Sequence, residues 1–278
     1  MGKQENIKIF EDTETLCKTN SSLKQSIKNS ICNQKLILQK QRINSNNQKR
    51  YEKPANIIVS KKRTLQAASA YKNTKTAVHN FASATNPGGG VKRGSNAQEE
   101  CLCRCSGLYV CLSTQTMWDG FYSPHGQAHN PIYNDDIIYT PAVTVFKTDT
   151  EQPEIMDASD WYNVDVITCA APNLRVKNNY NGKSSYNNAK KMTNDELLKL
   201  HEKRLKRILD TALSEDDETI IFGAFGCGAF MNDPQIVAQA AKNVIREYLY
   251  SFKNIEFAVY CSPRDDRNYR IFDRVLKK

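Results

Sequence analysis

The chain has 278 residues, of which 40% are apolar, 25% charged and 9% aromatic. These are globular values that exclude wholesale disorder and fit one large domain, or one domain with an appendage. The net charge of +9 is uneven: residues 1–56 hold 11 Lys/Arg against 5 Asp/Glu, and the other 222 hold 28 against 25.

The first residues, MGKQENIKIF, contain no apolar signal region. The longest near-apolar stretch, Ile220 to Met231, is broken by Gly223, Gly226 and Gly228. It falls well short of the roughly 18 residues a membrane span needs. The sequence therefore reads as a soluble, cytoplasmic protein with no membrane contact. Nine cysteines, an odd number without a signal peptide, imply free thiols in a reducing compartment. Within the cluster Cys101, Cys103, Cys105 and Cys111, a helix would put Cys101 and Cys105 on one face and turn Cys103 away. Convergence on zinc is disfavoured, and no metal or cofactor is expected.

Residues 1–56 read as a polar helical extension. Ile9-Phe10, Leu16, Leu23, Ile27, Ile31 and Leu36-Ile37-Leu38 supply contacts to a larger body, and Asn44 to Tyr51 a solvated connector. Its basic excess suits a nucleic acid or another polyanion. From residue 57 strands and helices alternate. Ile57 to Val59 reads as a short buried strand, Thr64 to Tyr71 as a helix, Thr76 to Ser83 as a strand and Ser95 to Ser113 as one helix. Trp118 to Pro141 is a structured excursion rich in Pro, Gly, Tyr and Asn. Ala142 to Phe146 and Val164 to Ala170 are strands, and a polar loop surrounds Asn178–Asn188. Thr193 and Glu196 form a capping box for a helix over Asp195–Leu213. Lys203-Arg204 and Lys206-Arg207 read as its solvated face. Thr219 to Phe222 is a buried strand, and Asp233 and Pro234 open a second strongly periodic helix. Glu256 to Cys261 is a strand and Asp266 to Leu276 a last helix. This alternation predicts an α/β sandwich around a mostly parallel sheet, with ligands beyond the carboxyl ends of the strands.

Two glycine-rich loops follow two of these strands: Gly88-Gly89-Gly90, and GAFGCGAF from Gly223 to Phe230. Their backbones can approach a ligand closely, and successive amides can cradle an anion. Neither loop ends in Gly-Lys-Ser/Thr, so neither is a P-loop. Gln98-Glu99-Glu100 opens the helix after the first loop. The seven residues between Gly90 and Gln98 let the loop fold back and set a glutamate beside whatever the glycines hold.

The segment NPGGGVKRGSNAQEE, Asn86 to Glu100, resembles the signature of microbial-type poly(ADP-ribose) glycohydrolases. HNFASATNPGGG, ECLCRCSGLY, PIYNDDIIYTPAVTVF, VDVITCAAPN and GAFGCGAFMNDP resemble that family's blocks in the same order. The resemblance implies a three-layer α/β/α macrodomain over residues 57–278, with a mixed, mostly parallel sheet and residues 1–56 as the helical extension. It implies cleavage of the ribose–ribose O-glycosidic bond of protein-attached poly(ADP-ribose), from chain ends, with release of ADP-ribose and no cofactor. By motif position Glu100 would be the catalytic acid and Glu99 its neighbour in the ribose pocket, while Asn86 would contact the terminal ribose. Gly88, Gly89, Gly90, Val91 and Gln98 would line the ADP-ribose site. Gly223, Ala224, Phe225, Gly226, Cys227, Gly228 and Ala229 would surround the diphosphate, with Phe230 near the terminal ribose. Two other functions share the loops: a non-catalytic ADP-ribose reader, which has no need of the glutamate pair, and a hydrolase of single ADP-ribose adducts or esters. Many macrodomains carry an acidic residue for adenine after the first strand. Here Ser60-Lys61-Lys62-Arg63 stand there, leaving Tyr269 as a stacking candidate and Phe272 as helix core.

Overall fold

The computed structural model describes residues 2–45, 49–175 and 192–277. The chain opens with α1 (Lys3–Thr19) and α2 (Ser21–Cys32), the second started by the Asn20 side chain, which accepts from the Leu23 amide at 3.1 Å. β1 (Lys35–Ile37), β2 (Asn56–Ser60), α3 (Thr64–Ala68), β3 (Thr76–Phe81), α4 (Gln98–Cys105) and α5 (Leu108–Leu112) follow. The excursion holds α6 (Gln115–Met117), a π-helical turn over Trp118–Tyr122 and α7 (Ser123–Gln127). β4 (Ile137–Val145), β5 (Tyr162–Cys169), α8 (Asn194–Ser214), β6 (Thr219–Phe222), α9 (Pro234–Ile245), β7 (Asn254–Ala258) and α10 (Arg267–Leu276) complete the fold.

The seven strands form one sheet in the order β1-β4-β5-β3-β6-β7-β2. β5, β3, β6, β7 and β2 run parallel, while β4 is antiparallel to both β5 and β1. One face packs on α8, α9 and α10 through residues such as Ile208, Leu209, Val237, Ala241 and Phe272. The other packs on α3, α4 and α5 through Leu65, Leu102, Cys103 and Leu108. This is the mixed three-layer α/β/α sandwich expected. β2 lies at an edge and is only half-buried, unlike the short buried strand anticipated.

The N-terminal segment is mostly helical, with one departure. Lys35–Ile37, inside the run read as apolar contacts of a helical region, forms an edge strand against Ile137–Tyr139. The helices are keyed into the body. Phe10 is buried edge-on to Tyr109, with ring centroids 4.9 Å apart. Lys147, itself buried, donates to the Ile9 carbonyl, the Thr13 hydroxyl and the Asp12 carboxylate. Part of the basic excess is matched across the fold, since Lys35 pairs with Glu215 and Arg50 with Asp216.

The single helix expected over Ser95–Ser113 is two, α4 and α5, because Ser106 turns to extended backbone before Gly107. β4 begins at Ile137, five residues before the strand anticipated, and carries a bulge where Ala142 takes a positive φ of 50°. The capping box of α8 and the Asp233–Pro234 start of α9 are present as read. The polar loop at Asn178–Asn188 lies outside the described residues. Among those described, no helix is long and apolar enough to cross a membrane.

Candidate active site

β3 ends at Phe81, and the chain beyond it turns back through Gly88 and Gly89, whose φ angles are 63° and 60°. Two successive left-handed residues are tolerable only because both are glycine. The reversal aims the loop's amides at the start of α4. Gly90 N–H donates to Glu100 Oε1 at 2.8 Å, and Ala97 N–H to Glu100 Oε2 at 3.0 Å. Glu99 Oε2 accepts from Ser83 N–H at 2.7 Å, and its Oε1 from Asn80 Nδ2 at 3.3 Å. The amides of Gly89 and Val91 close turns to Asn86 O and Gly88 O. The first glycine loop was expected to offer its amides to an anionic ligand. It instead clamps the two carboxylates, because the left-handed pair folds it back on α4. A Cβ on Gly89 would lie 2.6 Å from Glu100 Oε1 and 3.0 Å from Glu99 Oε2.

Both glutamates are buried, Glu99 to 3% exposure and Glu100 to 7%, yet both reach the wall of a cleft of about 1410 Å³. Burial pushes the Glu99 carboxyl up to about 8 against the Ser83 and Asn80 hydrogen bonds, and the Glu100 charge adds to the rise. Glu99 is therefore mostly protonated at neutral pH. Gln98 fastens α4 to β3: its Oε1 accepts from Phe81 N–H, and its Nε2 donates to His79 O and Thr64 Oγ1.

The second loop closes the opposite wall. Among the described residues the amides of Gly226, Gly228, Ala229 and Phe230 donate to no protein acceptor. Asn232 holds the loop in shape, its Nδ2 lying 2.8 Å from Pro172 O, 3.1 Å from Gly226 O and 3.3 Å from Phe230 O. Its Oδ1 faces His201 Nε2 at 2.9 Å. Burial drives the His201 imidazole down to about 4, so the neutral ring donates to Asn232. Phe230 stands 6.3 Å from the Tyr133 ring across the cleft.

Of the residues singled out from the sequence, Asn86, Gly89, Gly90, Gln98, Glu99, Glu100, Ala224, Gly226, Gly228, Ala229 and Phe230 line this one cleft. Gly88, Val91, Gly223, Phe225 and Cys227 stand behind it. Val91 is core, Gly88 sits against the Tyr109 ring, and Gly223 against the Ala258 carbonyl. Phe225 is buried 4.4 Å from the His79 ring centroid. The Cys227 Sγ turns to Phe225 O. At the far end Phe272 is core as expected, and Tyr269 carries Lys61 over its ring instead of lining the cleft. Tyr260 lines that end, with the Arg63 guanidinium 4.1 Å from its ring centroid.

The sequence reading missed Asn80, His201 and Asn232, which position the site without marking themselves by spacing. It also misplaced Arg204, read as solvated. This residue is fully buried, with Nε 2.9 Å from Asp135 Oδ1 and Nη1 and Nη2 on Ala170 O and Ile132 O. It thereby fixes the segment bearing Tyr133. Burial pushes the Asp135 carboxyl up, but hydrogen bonds from Lys203 and Arg204 outweigh it and hold the group below its ordinary value.

The α/β/α layering, with a ligand cleft beyond the carboxyl ends of parallel strands and two carboxyl groups in its wall, defines a macrodomain equipped for hydrolysis. Residues 3–148 match the family model of the microbial-type PARG catalytic domain, and the chain belongs to that family. The poly(ADP-ribose) glycohydrolase (PARG) of Thermomonospora curvata superposes with a TM-score of 0.83 at 25% identity, covering 98% of this chain and 99% of that one. The same enzyme bound to the inhibitor ADP-HPD gives 0.81, with the same identity and coverage. The Deinococcus radiodurans enzyme in complex with ADP-ribose gives 0.76 at 28% identity, over 90% of this chain and 96% of that one. No curated protein sequence matches the chain.

Proposed function

We propose that this protein is a poly(ADP-ribose) glycohydrolase that hydrolyses the ribose–ribose O-glycosidic bond and releases ADP-ribose. The observation that carries the reading is the pair Glu99–Glu100, buried side by side against Gly89 yet reaching the cleft. Burying two carboxyl groups is costly even when hydrogen bonds offset part of the loss, and a site that only bound ADP-ribose would have no use for an acid beside the ribose. The terminal ADP-ribose lies along the cleft with its diphosphate on the open amides of Gly226, Gly228, Ala229 and Phe230, an arrangement suited to anions. Its terminal ribose lies between Asn86, Phe230 and the glutamates.

Glycosidic cleavage through an oxocarbenium-like state needs a proton on the leaving oxygen, then an activated water. Glu100 supplies both in turn. It must enter the step carrying a proton, which it gives to the leaving 2′-oxygen as the C1″–O bond breaks; the carboxylate left behind then regains a proton from the water that adds to C1″. The Gly90 and Ala97 amides keep its carboxylate in register and stabilise it between the two steps. Glu99 stays largely protonated, so no second full negative charge faces the diphosphate-bearing substrate. Water adds across one bond, and the products are ADP-ribose and a polymer shorter by one unit.

The test is to incubate the protein with automodified polymer, and separately with singly modified protein, and to chromatograph the products. Free ADP-ribose from polymer is the expected result, falling at least a hundredfold in Glu100→Gln. Hydrolysis at the wild-type rate by that variant would remove the assignment of Glu100. Tight binding with no product from either substrate would make the protein a reader, and product from the singly modified protein alone a mono-adduct hydrolase.

A further inference from the structure

The turn Val91–Arg93 joins the glycine bend to α4 and presents Arg93 to the cleft. Arg93 is exposed and, among the described residues, has no acidic partner. Its neighbour Lys92 leans elsewhere, with Nζ 5.1 Å from the Tyr109 ring centroid, and does not line the cleft. The turn is held firmly. Arg93 N–H donates to Gly90 O at 2.9 Å and Gly94 N–H to Val91 O at 3.0 Å. From α1 the buried Asn6 donates to Gly94 O at 3.0 Å. Gly94, with φ 72°, lies so close to that helix that a Cβ would meet the Lys3 carbonyl at 2.2 Å. The cleft, at about 1410 Å³, also exceeds the roughly 300–1,000 Å³ that a drug-sized ligand occupies.

We propose that this turn forms a leaving-side subsite in which Arg93 binds the diphosphate of the second ADP-ribose unit, a proposal that rests on the glycohydrolase reading above. The leaving oxygen must lie on the side of its proton donor, so the unit that owns it extends past Glu100 toward Arg93. That oxygen is the 2′-oxygen of an adenosine ribose whose own 5′ carbon carries a diphosphate. The second pair of phosphates thus follows the scissile bond by a single sugar, within the sweep of a long guanidinium side chain. Guanidinium geometry suits such a group through paired N–H donors. A single ADP-ribose on a protein side chain offers no phosphate there, so the subsite favours polymer over single adducts.

The experiment compares Arg93→Ala with Lys92→Ala on two substrates. One is polymer. The other is an aryl ether at C1″ of ADP-ribose, which has the scissile bond but no second diphosphate. The expected result for Arg93→Ala is a rise of about five- to tenfold in KM for polymer, with kcat within twofold and kcat/KM for the aryl ether within twofold. Its salt dependence of log KM should fall by about 0.7 in slope, one phosphate contact on a single strand. Lys92→Ala should move neither substrate. Equal effects of Arg93→Ala on both substrates, no effect on either, or the same effect from Lys92→Ala would overturn the subsite. Wild-type protein inactive on both substrates would sink the glycohydrolase reading itself, and the subsite with it.

Discussion

Replacing Glu99 by Gln tests the electrostatics of the cleft wall without touching its shape. In the folded protein the Glu99 carboxyl keeps its proton up to about pH 8, against an ordinary value of 4.5. The folded state therefore binds more protons than the unfolded chain between those limits, and stability falls as pH rises through them. Each pH unit inside the window costs about 1.4 kcal/mol. Between pH 4.5 and 7 the wild type should lose on the order of 3 kcal/mol on this account, a loss Glu99→Gln escapes. The amide can accept from Ser83 N–H as the carboxylate does, and its new NH₂ can turn to Asn80 Oδ1, which has no partner among the described residues. Urea unfolding of both proteins at half-unit steps from pH 4.5 to 8.5 isolates the term, because every other carboxylate is common to the two. The variant should match the wild type at the acid end and exceed it progressively toward pH 8. A difference independent of pH, or one that widens toward acid, would refute the claim that burial keeps this group protonated.

Two further substitutions probe the walls separately. Gly89→Ala forces an L-residue into a left-handed conformation, a cost of about 1–2 kcal/mol, and drives a methyl group against both carboxylates. Its thermal midpoint should fall modestly while kcat drops about a hundredfold, as expected when reacting groups move by about 1 Å; near-normal kcat would show that the pair is not clamped by this contact. Asn232→Ala strands the Pro172 carbonyl and the His201 N–H, while the carbonyls of Gly226 and Phe230 keep the amides of residue 232 and Leu174, at a cost of about 2–3 kcal/mol. Calorimetric titration should show ADP-ribose binding weakened about tenfold; unchanged affinity would mean the loop holds its shape without this side chain.

What the sequence disclosed depended on how local the cause was. The starts of α8 and α9 were readable to within one residue, because Thr193–Glu196 and Asp233–Pro234 satisfy backbone groups only a few positions away. The break between α4 and α5 was hidden. Ser106 leaves the helix to pair with Val145, a residue about forty positions on. β1 was hidden for the same reason, since three residues become a strand only through a partner a hundred positions away. In the site, the glutamates were legible from the spacing of Gly90 and Gln98. The direction of the glycine amides was not, because it is decided by two successive positive φ angles. Arg204 falls on the buried face of α8, three residues after His201 and four before Ile208, but its charge reads as solvated. The partners that let a guanidinium stay buried there, Asp135, Ala170 and Ile132, come from distant segments, while Lys203 stays at the surface.

The strand order has a consequence for how the molecule is made. β2 is made long before its neighbour in the sheet, β7, and their register joins Asn56 to Asn254 and Ser60 to Ala258. β1 similarly waits for β4. Nascent chain leaving the ribosome must therefore carry β2 unpaired until β7 has followed it, a period in which chaperones would shield it from aggregation.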